Sequence, residues 1–215
     1  MRKFVIIGVQ GSGKGTQAAR LADDLDLVHL SAGDIFRWHV QRHTKLGAQV
    51  RRIMAAGKLV DDELVEQVMG DRLAIHDWNY GFVLDGFPRN VRQAEFFLES
   101  YDIDGVINLE MPDAVVHERV LARRLCAGCG LDWNLLAHRP KVPDVCDMCG
   151  SALLTREDDT PEALANRLRD YHDKTTPVLD LFDRKEVVAS FDATASIDEI
   201  QSAIRARFGL PLPAT

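Results

Sequence analysis

The chain reads as an α/β domain, a parallel sheet covered by helices on both faces and interrupted by two insertions. Three observations predict this. Apolar runs of strand length alternate with stretches of helical periodicity. A glycine-rich turn, Gly8-Val-Gln-Gly11-Ser-Gly13-Lys14-Gly15-Thr16, joins the first apolar run to the first helical stretch. Two segments, residues 31–60 and 126–158, break the alternation.

The strands are expected at Phe4–Ile7, Val28–Leu30, Phe82–Leu84, Val106–Leu109 and Val187–Phe191. Periodicity predicts helices over 14–25, 33–43, 46–56, 61–77, 91–100, 113–125, 161–184 and 196–208. Pro112 and Pro161 suit first-turn positions, and Ser196 suits an N-cap. Residues 31–60 offer only helices, joined around Gly47 and Gly57. Residues 126–158 carry Pro140 and Pro143 with little helical pattern. The expected partition is a core of 1–30, 61–125 and 159–215, with 31–60 and 126–158 as insertions. No repeat or low-complexity tract is apparent.

The 215 residues suffice for one full core plus insertions. Hydrophobic content of 46% and charged content of 27% are those of an ordinary globular protein. A net charge of −7 gives no overall basic field for nucleic acid or an anionic membrane. The few apolar residues after Met1-Arg-Lys3 are too short for a signal peptide, and no run reaches the ~18 apolar residues that span a bilayer. A cytoplasmic protein is expected.

The first motif is a phosphate cradle. Glycines let successive backbone N–H groups face one anion, and the following helix adds the positive end of its dipole. Gly11, Ser12, Gly13, Lys14, Gly15 and Thr16 form the cradle, with Lys14 as a mobile cation for β- and γ-phosphates and Thr16 as a hydroxyl near magnesium. A glycine-rich turn without a ligand is the alternative, and the lysine and the strand–helix context argue against it. The strict motif has Ser or Thr directly after the lysine; here Gly15 intervenes, which narrows the family. Phe82-Val-Leu-Asp85-Gly86 is an apolar strand ending in an acid, the form of a magnesium-side carboxylate in phosphate-loop NTPases. Phe87-Pro88-Arg89 follows at once and sets a guanidinium at the same sheet edge, where open α/β sheets bind ligands.

All four cysteines fall in one segment: Cys126-Ala-Gly-Cys129, sixteen residues, then Cys146-Asp-Met-Cys149, each pair followed by glycine. Two such knuckles make a tetrahedral four-sulfur site, with zinc the expected metal. Two disulfides do not suit a reducing cytosol, and redox pairs lack a βαβ start. No open ligand position is evident, so the metal is expected to be structural.

Nineteen arginines stand against seven lysines. Arg119 and Arg123, four apart on the expected helix 113–125, would share one face. Arg156 and Arg167 flank the far side of the cysteine segment. Planar guanidiniums suit the spread charge of a transferring phosphoryl group. Spacing alone leaves these four open between that role and solvated helix faces.

The combination resembles the adenylate kinase family, in its form with a four-cysteine metal-bearing lid. The matching residues are Gly8–Gln17, Ser31-Ala32-Gly33-Asp34-Ile-Phe-Arg37, Gly57-Lys-Leu-Val60-Asp-Asp62-Glu63, Asp85-Gly86-Phe87-Pro88-Arg89 with Gln93, Arg119 with Arg123, the cysteine knuckles, and Arg156-Glu-Asp158-Asp159 with Arg167. They extend over nearly the whole chain. The resemblance implies a phosphate-loop fold and the reaction ATP + AMP ⇌ 2 ADP with magnesium; a monomer without nucleic-acid or membrane partners is expected. It implies that the loop, Arg119 and Arg123 bind ATP, and that Thr16 and Asp85 lie by the magnesium. Ala32, Arg37, Val60, Gly86, Arg89, Gln93, Arg156 and Arg167 would bind AMP. Lys14, Arg89, Arg123, Arg156 and Arg167 would act on the transferring group. The insertion 31–60 would close over AMP and the lid 126–158 over ATP.

The chemistry agrees. The acceptor oxygen of a monophosphate is already anionic, so no general base is required, and a closing cover must keep water out. Three departures from the family pattern stand out. Ala32 replaces a threonine, Trp133-Asn134 a tyrosine–histidine pair, and Asp192-Ala193 an Asp-Gly. The nearest rival is the same fold acting on UMP, CMP or GMP. More distant rivals are a nucleic-acid-binding zinc ribbon on an NTPase, which the acidic balance of 126–158 disfavours, and a nucleotide-gated module without turnover.

Overall fold

A computed structural model describes residues 2–77, 80–136 and 138–211. Its centre is a five-stranded parallel sheet of β1 (Lys3–Gly8), β2 (Val28–Ser31), β3 (Phe82–Asp85), β4 (Gly105–Glu110) and β8 (Val188–Asp192), in the spatial order β2-β3-β1-β4-β8. These are the five expected strands, within a residue or two at their ends. Buried strands of this kind need apolar residues on both faces, and β1 supplies them alternately. Val5 and Ile7 enter one core with Phe36, Met69, Phe97 and Phe182; Phe4 and Ile6 enter the other with Leu21, Val116, Leu164 and Ile204.

The first core is covered by α2 (Ala32–Gln41), α3 (Lys45–Ala55), α4 (Asp62–Ala74), α5 (Val91–Ser100) and α8 (Thr176–Asp183). The second is covered by α1 (Lys14–Leu25), α6 (Asp113–Leu121), α7 (Pro161–Asp170) and α9 (Ile197–Phe208). Sequence capping chemistry fixes several starts. Ser31, Thr44 and Asn90 accept from backbone N–H groups of α2, α3 and α5, and Ser196 forms a capping box with Glu199 at α9. The helical pair α2–α3 lies between β2 and β3, as residues 31–60 predict. It meets α7 closely at Gly57, whose φ is +70° and where a Cβ would stand 2.2 Å from the Ala163 carbonyl oxygen.

Two expectations are corrected. The helix predicted over 113–125 ends at Leu121. Arg123–Cys126 is β5, which pairs antiparallel with β6 (Asp132–Asn134) and β7 (Leu153–Leu154) in a small sheet. Cross-strand pairing of Leu125 with Asp132 and of Cys126 with Leu153 overrides the helical periodicity. The stretch 161–184 is likewise not one α-helix: Tyr171–Thr175 is a π turn between α7 and α8.

Candidate active site

β1 sits beside β3 on one flank and β4 on the other, so the crevice beyond its carboxyl end opens at the sheet's switch of direction. The glycine loop fills that edge. Gly13, at φ +90°, turns the chain into α1, whose start carries no side-chain cap. Its first N–H groups therefore stay directed at the loop mouth. Lys14 folds onto the loop, its Nζ donating to the Gly8 and Val9 carbonyl oxygens at 2.8 Å each. Burial pulls its pKa down to about 8. Asp85 opposes this, while Arg89, Arg123 and Arg167 add to it. Among the described residues the buried Ser12 hydroxyl has no hydrogen-bond partner, and Thr16 is exposed at the helix start.

Asp85 ends β3 in register with Ile6 and Ser31. Its Oδ2 lies 3.5 Å from where a Cβ on Gly15 would be and 4.0 Å from His29 Nε2. The residue after the lysine thus faces this carboxylate with backbone alone. Beyond Asp85, Arg89 is held by its own Nε, which donates to the Gly86 carbonyl oxygen at 2.7 Å. Burial, and then the charges of Arg167, Arg37 and Arg156, bring its pKa down to about 10, with Asp85 opposing.

The remaining arginines arrive from the other side, each seated on a carboxylate. Arg123 forks onto Asp159, with Nε at 2.8 Å from Oδ2 and Nη2 on Oδ1. Arg156 forks onto Asp158 at 3.0 and 2.9 Å. Arg167 reaches the Asp158 carboxylate and, at 3.0 Å, its carbonyl oxygen. Burial disfavours the charge on Asp158, but Arg156 and then Arg167 outweigh it and hold the carboxyl well below the usual range. Gln10, in the glycine loop, donates to Asp159 at 2.9 Å, which joins the loop to this network. Lys14, Arg37, Arg89, Arg123, Arg156 and Arg167 bring six cations against the carboxylates of Asp34, Asp85, Asp132, Asp158 and Asp159. In a chain of net charge −7, that is a local excess of positive charge built for anions.

Arg119 and Arg123 do not share a helix face. Arg123 leaves with β5, while Arg119 stays at the end of α6 and donates to the Ala193 and Thr194 carbonyl oxygens at 2.7 and 3.3 Å. Arg37 pairs with Asp34 on its own helix. Gly86 adopts φ +72° beside Arg89. Gln93 is 1% exposed; its Oε1 accepts from Arg89 N at 2.8 Å and its Nε2 donates to Asp62 at 2.7 Å. Ala32 and Val60 are buried at the two ends of the insertion 31–60.

The four cysteine sulfurs lie within 4.8 Å of one another, with Cys126–Cys149 at 3.3 Å and Cys129–Cys146 at 3.7 Å. Zinc–sulfur bonds of about 2.3 Å in a tetrahedron space the sulfurs about 3.8 Å apart, so the donor set fits zinc. Backbone N–H groups of Gly128 and Cys129 point at Cys126 Sγ, and Ser151 draws the Cys149 thiol down to about 6.

Residues 6–187 match the family model described as adenylate kinase. The chain belongs to the adenylate kinase family. Relatives named adenylate kinase include one from Lachnospira eligens, 39% identical over 207 residues that cover 94% of this chain and 97% of the relative. Another, from Methanocella arvoryzae, is 40% identical over 209 residues, covering 95% and 97%. One from Thermotoga maritima is 41% identical over 206 residues, covering 93% and 94%.

Two departures from the adenylate kinase pattern have a structural reading. Trp133 is buried in the small antiparallel sheet and stacks on His138 at 4.5 Å, while Asn134 donates to the Arg119 carbonyl oxygen at 2.9 Å. Ala193 is fully buried and offers its carbonyl to Arg119. Sequence reading missed Thr175, and quoted Gln10, Asp62 and Asn134 within motifs without foreseeing the hydrogen bonds by which all four fix site residues distant in the chain. Their one available signal was polar residues inside or beside otherwise apolar elements.

Proposed function

We propose that the protein is a nucleoside monophosphate kinase catalysing ATP + AMP ⇌ 2 ADP with magnesium. The observation that carries the reading is the gathering of Lys14, Arg89, Arg123, Arg156 and Arg167 at the sheet edge beside Asp85. In this reading the glycine loop and Arg123 hold ATP phosphates, with Arg119 by the ATP base. Arg37, Arg89, Arg156 and Arg167 grip the acceptor phosphate, and Ala32, Val60, Gly86 and Gln93 line the acceptor nucleoside. Thr16 and Asp85 would face the magnesium that arrives with ATP. When bound, that ion would neutralise charge on the transferring phosphates. The chain's own task is to align donor and acceptor in line and to spread the developing charge over guanidiniums.

Residues 31–60 act as a flap over the acceptor, and 126–158 as a lid stapled by structural zinc. Support for closure comes from Arg51–Glu157 at 3.3 Å, which joins flap to lid, and from two ties of the flap to α7: Asn166 Nδ2 to the Ala56 carbonyl oxygen at 2.9 Å and Arg167 to the Met54 carbonyl oxygen at 3.4 Å. One chain supplies every cation invoked, which fits a monomer. Four thiols set for a metal fit the reducing cytoplasm. No described helix is long and apolar enough to cross a membrane.

A second reading, another monophosphate as acceptor, is favoured by Ala32, which offers no hydroxyl, and by the commitment of Gln93 to Asp62 and Arg89. Purified protein mixed with ADP and magnesium should yield ATP and AMP together. In a panel of AMP, UMP, CMP and GMP at saturating MgATP, AMP should lead by about tenfold or more in kcat/KM. Failure to form ATP and AMP defeats the kinase reading; a different leader replaces the acceptor.

A further inference from the structure

The rod that follows the lid carries an irregularity with a cause in the sequence. α7 ends at Asp170, Tyr171–Thr175 is π-helical, and α8 resumes at Thr176. Pro177 lies in the first turn of α8. It has no N–H to donate, and in an unbroken α-helix its ring would strike the carbonyl of Asp173. The ladder widens upstream instead, and Thr176 N–H bonds to the Tyr171 carbonyl oxygen, five residues back.

The widening decides which way Thr175 faces. At about 100° per residue, the eight steps from Arg167 to Thr175 would set the two about 80° apart around an α-helix. One π turn acts as a single inserted residue and brings them to within about 20°. Arg167 faces the phosphate-binding cluster, so Thr175 turns to the same side. There, buried, its Oγ1 donates to the Arg89 carbonyl oxygen at 2.8 Å.

Arg89 is thereby held at three points. Gln93 takes its N–H, Thr175 its carbonyl, and Gly86 its Nε. Among the described residues no hydrogen bond engages its terminal nitrogens, and Nη2 lies 3.0 Å from where a Cβ on Gly86 would stand. The restraint has work to do, because Arg167, Arg37 and Arg156 all repel this buried guanidinium. We propose that Thr175 is a positioning residue for Arg89, delivered by the π turn that Pro177 enforces, so that a single rod sets the spacing of Arg89 and Arg167. The inference rests on the reading of Arg89 as a ligand of the acceptor phosphate.

Thr175→Val removes the donor at constant volume, and Thr175→Ser keeps it. Steady-state rates with AMP varied at saturating MgATP, and the converse, separate the two substrates. Thr175→Val should raise KM for AMP about tenfold, the effect of one lost buried hydrogen bond, and leave KM for MgATP within about twofold. Thr175→Ser should stay within about threefold of the parent for both substrates. Pro177→Ala, which lets the ladder close, should move KM for AMP in the same direction as Thr175→Val. An equal rise in both KM values, or a serine variant no better than valine, overturns the proposal. Should the valine variant fail to give a cooperative melt, Thr175→Ala against Thr175→Ser carries the same comparison. Arg89→Ala tests the reading beneath. If its Kd for AMP is unchanged, the role of Arg89 is wrong; if that Kd rises while Thr175→Val leaves KM for AMP alone, only the positioning role falls.

Discussion

Replacing Lys14 with methionine should separate what the ammonium does for catalysis from what it costs the fold. Burial lowers its pKa from 10.5 to about 8. At neutral pH the charged form therefore costs the folded state about 3.5 kcal/mol, at about 1.4 kcal/mol per pH unit. Methionine removes that cost but also two charged hydrogen bonds, to Gly8 and Val9, of about 1.5 kcal/mol each. The two effects nearly cancel, so the variant should melt within about 1 kcal/mol of the parent at pH 7. The sign changes with pH. A basic group whose folded pKa is lowered destabilises below that pKa, and the penalty fades as pH rises from 8 towards 10.5, where the unfolded chain still holds the proton. The parent should gain about 2 kcal/mol by pH 9.5 that the methionine variant does not. Turnover should fall by about 10²–10³, the scale of one lost transition-state cation. Calorimetry at the two pH values, with the coupled ATP assay, reads all three quantities. A melting difference independent of pH, or activity within about tenfold of the parent, refutes the reasoning.

Other outcomes follow from the same geometry. Cys126→Ser with Cys129→Ser should lose bound metal, measured by elemental analysis, and lower Tm; an unchanged Tm with no metal removes the structural role. Asp158→Asn leaves Arg156 and Arg167 without their shared counter-ion, and should destabilise the nucleotide-free protein by about 3 kcal/mol in urea unfolding. Because the folded pKa of Asp158 is depressed, its contribution is present above the ordinary carboxylate range and is lost as pH falls through that range and below, which acid unfolding of parent and variant should display. Nucleotide phosphates return charge to Lys14, so ATP binding between pH 8 and 10 should take up a proton, detectable by calorimetry in buffers of different ionisation enthalpy.

The central sheet was legible because its strands are apolar on both faces and its helices begin at side chains with capping chemistry, such as Ser196. The glycine loop and the cysteine knuckles were legible because their function is local in the chain. Arg123 was misread because a helical period continues past Leu121, while its true partners, Asn134 and Asp159, lie 11 and 36 residues away. The π turn was missed for a related reason. Pro177 announces a disturbance, but only the fold reveals that it rotates Thr175 towards a carbonyl 86 residues earlier. Gln93 was matched to the acceptor base from its motif, whereas its engagement by Asp62 depends on α4 and α5 meeting in space.

The seating of Asp158 and Asp159 on the arginines bears on how a ligand leaves. In the proposed reading an incoming nucleotide would not meet bare cations; it would compete with carboxylates already in residence, so its grip would be a difference between two sets of forks. As a product loosened, the same carboxylates would reclaim their guanidiniums and hinder its return. Such a chain is suited to rapid clearance rather than tight retention, the behaviour wanted of a catalyst working in both directions close to balance.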